Sequence, residues 1–271
     1  MSSPTIDALA QALAAAHRDG KALDAAQWQA AVPDFEASYA VQAAVAEALG
    51  WFGGRAPGAW KSGGPGRDQP VTHAPLPPDG VRASPADYTD TRFHGPLIEI
   101  EIALRIGREV SAETAAALAA RAGQADPAAR EALGDRIADE LVDAMCVAIE
   151  IVDSRWADPA QATAPMKLAD LQSHGALALG EWMPYARRDW AAQRCEVTIG
   201  GAEAMVRTGT HPLGSPTWGL PVWLHHATRD GRSVPAGTVV TTGAWAGMPP
   251  ARAGDLVTTR FDGIGSVRVQ L

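Results

Sequence analysis

The chain has 271 residues, 46% of them hydrophobic and 20% charged, enough to bury a sizeable core in one large domain or in a small one joined to a larger. A formal charge of −8 argues against a nucleic-acid partner, whose backbone the protein as a whole would repel. No run approaches the roughly 20 uninterrupted apolar residues of a membrane span, and the two cysteines, Cys146 and Cys195, carry no metal-ligand spacing and read as small buried hydrophobes.

The first twenty residues, MSSPTIDALAQALAAAHRDG, are rich in alanine but have no basic segment ahead of an apolar one, so no secretory leader is expected and the expected location is cytoplasmic. From Thr5 to Gly50 the pattern is helical: Ile6, Leu9, Leu13 and Ala16 share one face, and Val41, Val45 and Leu49 form the stripe of a second helix. Gly50, Gly53, Gly54, Pro57 and Gly58 break it. Lys61 to Thr91 is dense in glycine and proline and reads as a long ordered loop with short extended pieces, a kind of segment that is usually functional. Strand character begins at Leu97. Ala112 to Leu141 reads as two helices divided near Gly123 to Pro127, and Met145 to Val152 as a buried strand or the end of a helix feeding one. After Ala176 come short strands and turns, EVTIGG, AMVRTG, TVVTTG, LVTTRF and SVRVQL, with a helix expected from about Pro216 to Asp230. The sum is a mixed α+β chain, divided at the sequence level into an N-terminal helical region with an active-site loop, 1–75, and a catalytic domain, 76–271.

Chemistry concentrates in two apolar runs, LIEIEIALRIG and AIEIVDSR, which place Glu99, Glu101 and Glu150 where an unpaired charge costs several kcal/mol. Strand residues two apart share a face, so Glu99 and Glu101 present two oxygen donors side by side, and Glu150 can supply a third from a neighbouring element. Three hard ligands with room for water and substrate outline a site for Mg²⁺ or Mn²⁺.

In order and spacing the segments EASYAVQ, WKSGG, IEIEIALRIG, AIEIVDSRW, LADLQSHGALALG, RTGTHPLGSPTWGLPVWL and VVTTGAWAGMPPARAGDLVTTRFDGIGSVRV resemble the fumarylacetoacetate hydrolase superfamily. Within it the chain looks most like the 2-keto-4-pentenoate hydratases and their relatives, the 4-oxalocrotonate decarboxylases. The resemblance implies the mixed β-roll of that family, a homo-oligomer, and one divalent cation held by Glu99, Glu101 and Glu150. It places Lys61 beside the substrate, Thr242 and Gly243 at the substrate carboxylate, and Asp170 at a family aspartate; Trp60 adjoins the lysine and is a candidate wall of an acyl pocket. The chain departs from the hydratase pattern after the lysine, where Ser62, Gly63, Gly64 and Pro65 stand, and after Asp170, where Leu171 replaces an asparagine; at a downstream aspartate position Val71 stands, with Asp68 as the alternative to fill that role. His73 and His174 then become candidates for the general base.

A 2-keto acid chelates a hard cation through its carboxylate and keto oxygens, which polarises C2 and stabilises an enolate. The implied activity is hydration of a 2-hydroxypenta-2,4-dienoate-like compound from the breakdown of aromatic compounds. The alternatives are decarboxylation of a 2-keto diacid, for which Arg67, Arg92 or Arg155 is the candidate distal cation, carbon–carbon hydrolysis of an acylpyruvate, and a weakly catalytic metal-binding partner subunit. Burial of Lys61 beside a cation is expected to lower its pKa.

Overall fold

The computed structural model describes residues 5–271, so the part of the N-terminal reading that falls on residues 1–4 lies outside the described residues. Helix α1 (Ile6–Asp19) starts where the Thr5 hydroxyl accepts the Ala8 N–H and stops at Gly20, whose φ of +63° suits glycine. Helix α2 (Phe35–Ala48) starts at Asp34, whose carboxylate accepts the Ala37 N–H. The stripes expected from the sequence face inward: Leu9, Leu13, Val41 and Val45 are buried.

The stretch expected to be a long loop holds four short strands, β1 (Ala59–Gly63), β2 (Thr72–Pro75), β3 (Val81–Ala83) and β4 (Ala86–Asp87). None is long enough to show an alternating pattern between its flanking glycines and prolines; β1, β3 and β4 are each held by a ladder to a strand distant in sequence, and β2 by β1. Then follow β5 (Leu97–Ile106), α3 (Ala112–Gln124), α4 (Pro127–Leu141), β6 (Val142–Val152), α5 (Ala164–Ala169), β7 (His174–Leu179), β8 (Met183–Pro184), β9 (Arg194–Ile199), β10 (Met205–Thr208), α6 (Leu220–Ala227), β11 (Val239–Thr241), β12 (Leu256–Phe261) and β13 (Gly265–Gln270). The split between α3 and α4 falls where the sequence put it: Asp126 caps α4 and Pro127 opens it. Helix α6 is shorter than the expected 216–230. On its N-terminal side Ser215 and Thr217 bond each other and Asp135, which holds them in a turn, and on its C-terminal side Thr228 bonds back to the Leu224 carbonyl.

Two sheets organise the molecule. The larger runs β2-β1-β11-β5-β6-β7-β3, with β8 beside β6, and mixes parallel pairs (β1 with β11, β3 with β7) with antiparallel ones. The smaller runs β10-β9-β12-β13-β4. One core joins them, with Ile98, Ile100, Ile102, Val147 and Ile149 on one side and Val257, Phe261, Val267 and Val269 on the other, closed by α3, α4 and α6. This is the α+β architecture expected. A second core joins α1 and α2 to α5 and to Trp156, whose indole N–H donates to the Met166 carbonyl. Among the described residues no helix is long and apolar enough to cross a membrane.

Candidate active site

The central ladder of the larger sheet lays the chemistry out in a row. In the β5–β6 pairing Glu99 stands directly opposite Glu150, and Glu101 lies two residues along the same face. Two strands away Lys61 pairs with Thr241, which pairs in turn with Ala103, and on the other side Val152 pairs with His174. Five adjacent strands, β1, β11, β5, β6 and β7, thus contribute to one patch.

Oxygens of Glu99, Glu101 and Glu150 lie within 4.8 Å of one another. Glu101 and Glu150 are 1% and 0% exposed, so the like charges meet where water cannot screen them. Burial is the largest effect on Glu99 and pushes its pKa up to about 7 although Lys61 opposes it; burial, then Glu150 and Glu99, push Glu101 up to about 8. Burial also raises Glu150, but Lys61 and His174 outweigh it and hold that carboxyl below its ordinary range. The Lys61 ammonium is 2.6 Å from Glu150 Oε1 and 3.8 Å from Glu99 Oε2. With no cation beside it, burial lowers the Lys61 pKa but Glu150, Glu99 and Glu101 raise it more, which favours the ammonium; the lowering expected of Lys61 concerns the site with its cation bound.

These residues fit a divalent cation. With all three carboxylates ionised against a single ammonium the site would carry −2, a repulsion already expressed in the raised pKa values of Glu99 and Glu101; Glu150 Oε2 is buried with no partner among the described residues; and all the donors are hard oxygens. The N–H of Gly243 donates to Glu101 Oε2 at 2.7 Å, which fixes that carboxylate from the far side.

The cluster opens into a cavity of about 700 Å³. Lys61, Glu99, Glu101 and Gly243 line it, together with an apolar wall that includes Phe35, Leu97, Pro159, Leu168 and Met248. Trp60, His73, His174, Asp170 and Thr242 are not on its surface. Alternation along β1 explains two of them: with Lys61 toward the carboxylates, Trp60 and Ser62 face the other way, where Trp60 meets the His226 ring edge-on at 5.9 Å and His73 Nδ1 meets the Ser62 hydroxyl at 3.0 Å. Burial, then Arg229, lower the pKa of His73 to about 3, so it is a neutral ring behind the sheet. Asp170 is spent on Arg155, accepting from the backbone N–H and the guanidinium, and the Thr242 hydroxyl donates to the Ile102 carbonyl. The threonine of this turn that meets the cavity is one residue earlier: Thr241 lines it, and its Oγ1 is buried without a partner among the described residues.

Sequence reasoning passed over Thr241, Gln172, Ser173 and Lys167. Thr241 shares a face with Lys61 only through the β1–β11 register, which alternation within either strand does not reveal. Gln172 and Ser173 had no sequence signal, because they reach the cavity through three consecutive left-handed residues, Leu171, Gln172 and Ser173, with φ of 52°, 55° and 58°. The distal arginines are elsewhere: Arg155 is on Asp170, Arg67 stacks on Trp218 at 4.1 Å and pairs with Glu131, and Arg92 is exposed off the cavity. The cation at the outer wall is Lys167, on α5.

Residues 77–271 match the family model of the fumarylacetoacetate hydrolase C-terminal domain. Among proteins of similar sequence, the 2-keto-4-pentenoate hydratase of Paraburkholderia xenovorans (strain LB400) is 29% identical over 181 residues, 66% of this chain and 60% of that protein. The 2-keto-4-pentenoate hydratase 1 of Dechloromonas aromatica (strain RCB) is 30% identical over 182 residues, 65% of this chain and 60% of that protein. The chain thus spans 60% of the length of these relatives. Among solved structures, 4-oxalocrotonate decarboxylase from Pseudomonas putida G7, complexed with magnesium and adipate, superposes with a TM-score of 0.73 at 18% identity, over 98% of this chain and 96% of that one. Fumarylpyruvate hydrolase from Pseudomonas aeruginosa, in complex with Mn²⁺ and pyruvate, gives 0.51 at 14% identity, over 78% and 88%. At these identities the likeness concerns the fold.

Proposed function

The chain belongs to the fumarylacetoacetate hydrolase family, and on that premise we propose that it is a divalent-metal-dependent enzyme acting on a 2-keto acid or its dienol, adding water to a 2-hydroxypenta-2,4-dienoate-like compound. The observation that carries this reading is the trio Glu99, Glu101 and Glu150, with Lys61 against it, where Glu99, Glu101 and Lys61 form the wall of an otherwise largely apolar cavity and Glu150 stands just behind them. A bound Mg²⁺ or Mn²⁺ supplies Lewis-acid polarisation of the keto group and an anchor for the carboxylate.

The chain's own groups account for the remainder. Lys61, whose Nζ lies 2.6 Å from Glu150 and 3.8 Å from Glu99, is placed to stabilise negative charge at the keto oxygen and, as an ammonium, to deliver a proton from Nζ. Thr241 Oγ1 offers a hydrogen bond that no protein group takes up. Phe35, Leu97, Leu168 and Met248 hold the hydrocarbon end and keep bulk water from it.

A second reading, decarboxylation of a 2-keto diacid, is favoured by Lys167 on the outer wall, where a second carboxylate would find a positive charge. The test is to incubate metal-free protein, with and without Mg²⁺ or Mn²⁺, with 2-hydroxydienoates and 2-keto diacids, following dienoate absorbance and product mass. Metal-dependent gain of one water is the expected result; loss of CO₂ establishes the second reading. In that case Lys167→Ala raises KM for the diacid, and leaves a monoacid unaffected. Glu101→Ala abolishes metal-dependent turnover of either class. Metal binding without turnover of any 2-keto acid overturns both readings in favour of a non-catalytic metal-binding subunit.

A further inference from the structure

The rotamer of Glu150 decides where its free oxygen points, so what holds the other oxygen matters. Glu150 Oε1 accepts from His174 Nδ1–H at 2.9 Å and from Lys61 Nζ at 2.6 Å, while Oε2 has no partner. His174 is 2% exposed, does not reach the cavity, and has no partner at Nε2 among the described residues. Its ring therefore serves one polar group, Glu150, and lies out of reach of any proton on a substrate.

The main chain of His174 is pinned from behind. It opens β7 opposite Val152, where the β6–β7 register shifts, and its carbonyl accepts from the Arg155 guanidinium. That guanidinium is in turn held by the Asp170 carboxylate and by the Asp170 carbonyl at 3.0 Å. The arrangement runs from Asp170 through Arg155 to the His174 backbone, and from the His174 ring to Glu150. Each member is buried, and none of them, Glu150 included, is among the residues that line the cavity, whose wall Glu99 and Glu101 reach beside it.

We infer that His174 is a positioning residue: it clamps Oε1 of Glu150 and thereby aims Oε2 at the cation position, leaving Lys61 free to follow the substrate. Without the imidazole, Lys61 alone would hold Oε1, and the ammonium could not leave it without releasing a ligand. Groups that hold a metal ligand from outside in this way typically contribute 10–100-fold to metal affinity. Asp170 then acts through Arg155 on the backbone that carries His174, at two removes from the carboxylate. The inference rests on the metal site of the proposed function but on no particular substrate.

The test is calorimetric titration of Mn²⁺ and Mg²⁺, without substrate, into metal-free wild type, His174→Leu and His174→Asn. Leucine fills the volume without a donor, whereas the asparagine side-chain nitrogen sits where imidazole Nδ1 sits and keeps the hydrogen bond. The Leu variant is expected to bind Mn²⁺ about 10–100-fold more weakly, and the Asn variant to recover most of the affinity. Should the Leu variant fail to fold, His174→Ala, which also lacks a donor, takes its place. A donor-less variant that binds Mn²⁺ as tightly as wild type overturns the inference, as does an Asn variant that loses as much as Leu. Wild type that binds neither ion overturns the metal site and the clamp together. Wild type that binds Mn²⁺ but turns over no 2-keto acid strikes the proposed function alone, because the affinity ratio is measured without substrate.

Discussion

Single residues around the cavity differ in whether their polar atoms are spent, and that difference makes them separable by experiment. Thr241 is fully buried and its hydroxyl has no partner among the described residues, so Thr241→Val, which trades the hydroxyl for a methyl of similar size, removes an unsatisfied group without leaving a hole. Unfolding in urea is expected to show unchanged or slightly higher stability, by up to about 1 kcal/mol, while KM rises and metal affinity stays as it was; an unchanged KM would remove Thr241 from the substrate site. His211 is the opposite case, with both ring nitrogens used: Nε2 donates to the Thr242 carbonyl at 2.9 Å and Nδ1 accepts the Leu213 N–H at 3.2 Å. That pattern requires the neutral ring, and burial lowers its pKa to about 3, with the Thr242 bond opposing and Arg67 assisting. Below pH 6.5 the unfolded chain takes up a proton at this histidine that the folded chain refuses, so its contribution to stability is complete above pH 6.5 and is lost progressively toward pH 3. Between pH 7.5 and pH 5 wild type should lose on the order of 2 kcal/mol more than His211→Gln, a difference that urea unfolding at the two pH values measures directly.

At the scale of elements, the strands that carry the carboxylates were legible because their character does not depend on distant partners. The run from Leu97 to Ile106 is long and apolar on both faces, and charges embedded in it have to be explained by what they bind. The short strands β1, β3 and β4 and the left-handed run at 171–173 were not legible, since each owes its conformation to a partner far away in sequence, β1 to β11 and Gln172 to Lys61 and Thr72, and β2 follows β1. The carboxylates were read correctly as neighbours, but whether a side chain on β1 or β11 faces the cavity depends on a register that one residue reverses. Hence Thr241, and not Thr242, meets the cavity. The left-handed run also stores strain: a non-glycine residue in that region costs roughly 1–2 kcal/mol, kept here because it brings the Gln172 carbonyl to 3.3 Å from Lys61 Nζ. Ser173 makes no side-chain bond within the protein, so Ser173→Gly should relieve part of the strain and raise stability by about 1 kcal/mol at most, with metal affinity retained. A melting temperature below that of wild type would show that the run is not strained at this position.

Taken whole, the molecule places the groups of the proposed site on a sheet whose strands come from distant parts of the chain, which bears on how it can be divided. Lys61 lies on β1, which sits between β2 and β11, and all of β1 and β2 precede residue 76. The second core draws Leu9, Leu13, Val41 and Val45 from the N-terminal helices but Trp156 and Met166 from beyond residue 150. Removing residues 1–75 would therefore strip two strands from the edge of the larger sheet, expose the unpaired side of β11, and leave the face of α5 and the Trp156 indole without cover. A buried tryptophan that loses its packing costs about 3–5 kcal/mol by itself, a large share of the 5–15 kcal/mol that a domain typically has. The fragment 76–271 is expected to lack a cooperative thermal transition and to bind a hydrophobic dye, while the full chain melts sharply. A fragment that melts cooperatively and binds Mn²⁺ would show instead that the boundary at residue 75 is a true domain boundary and that the N-terminal region only adds Lys61 and the Phe35 wall to a site already formed.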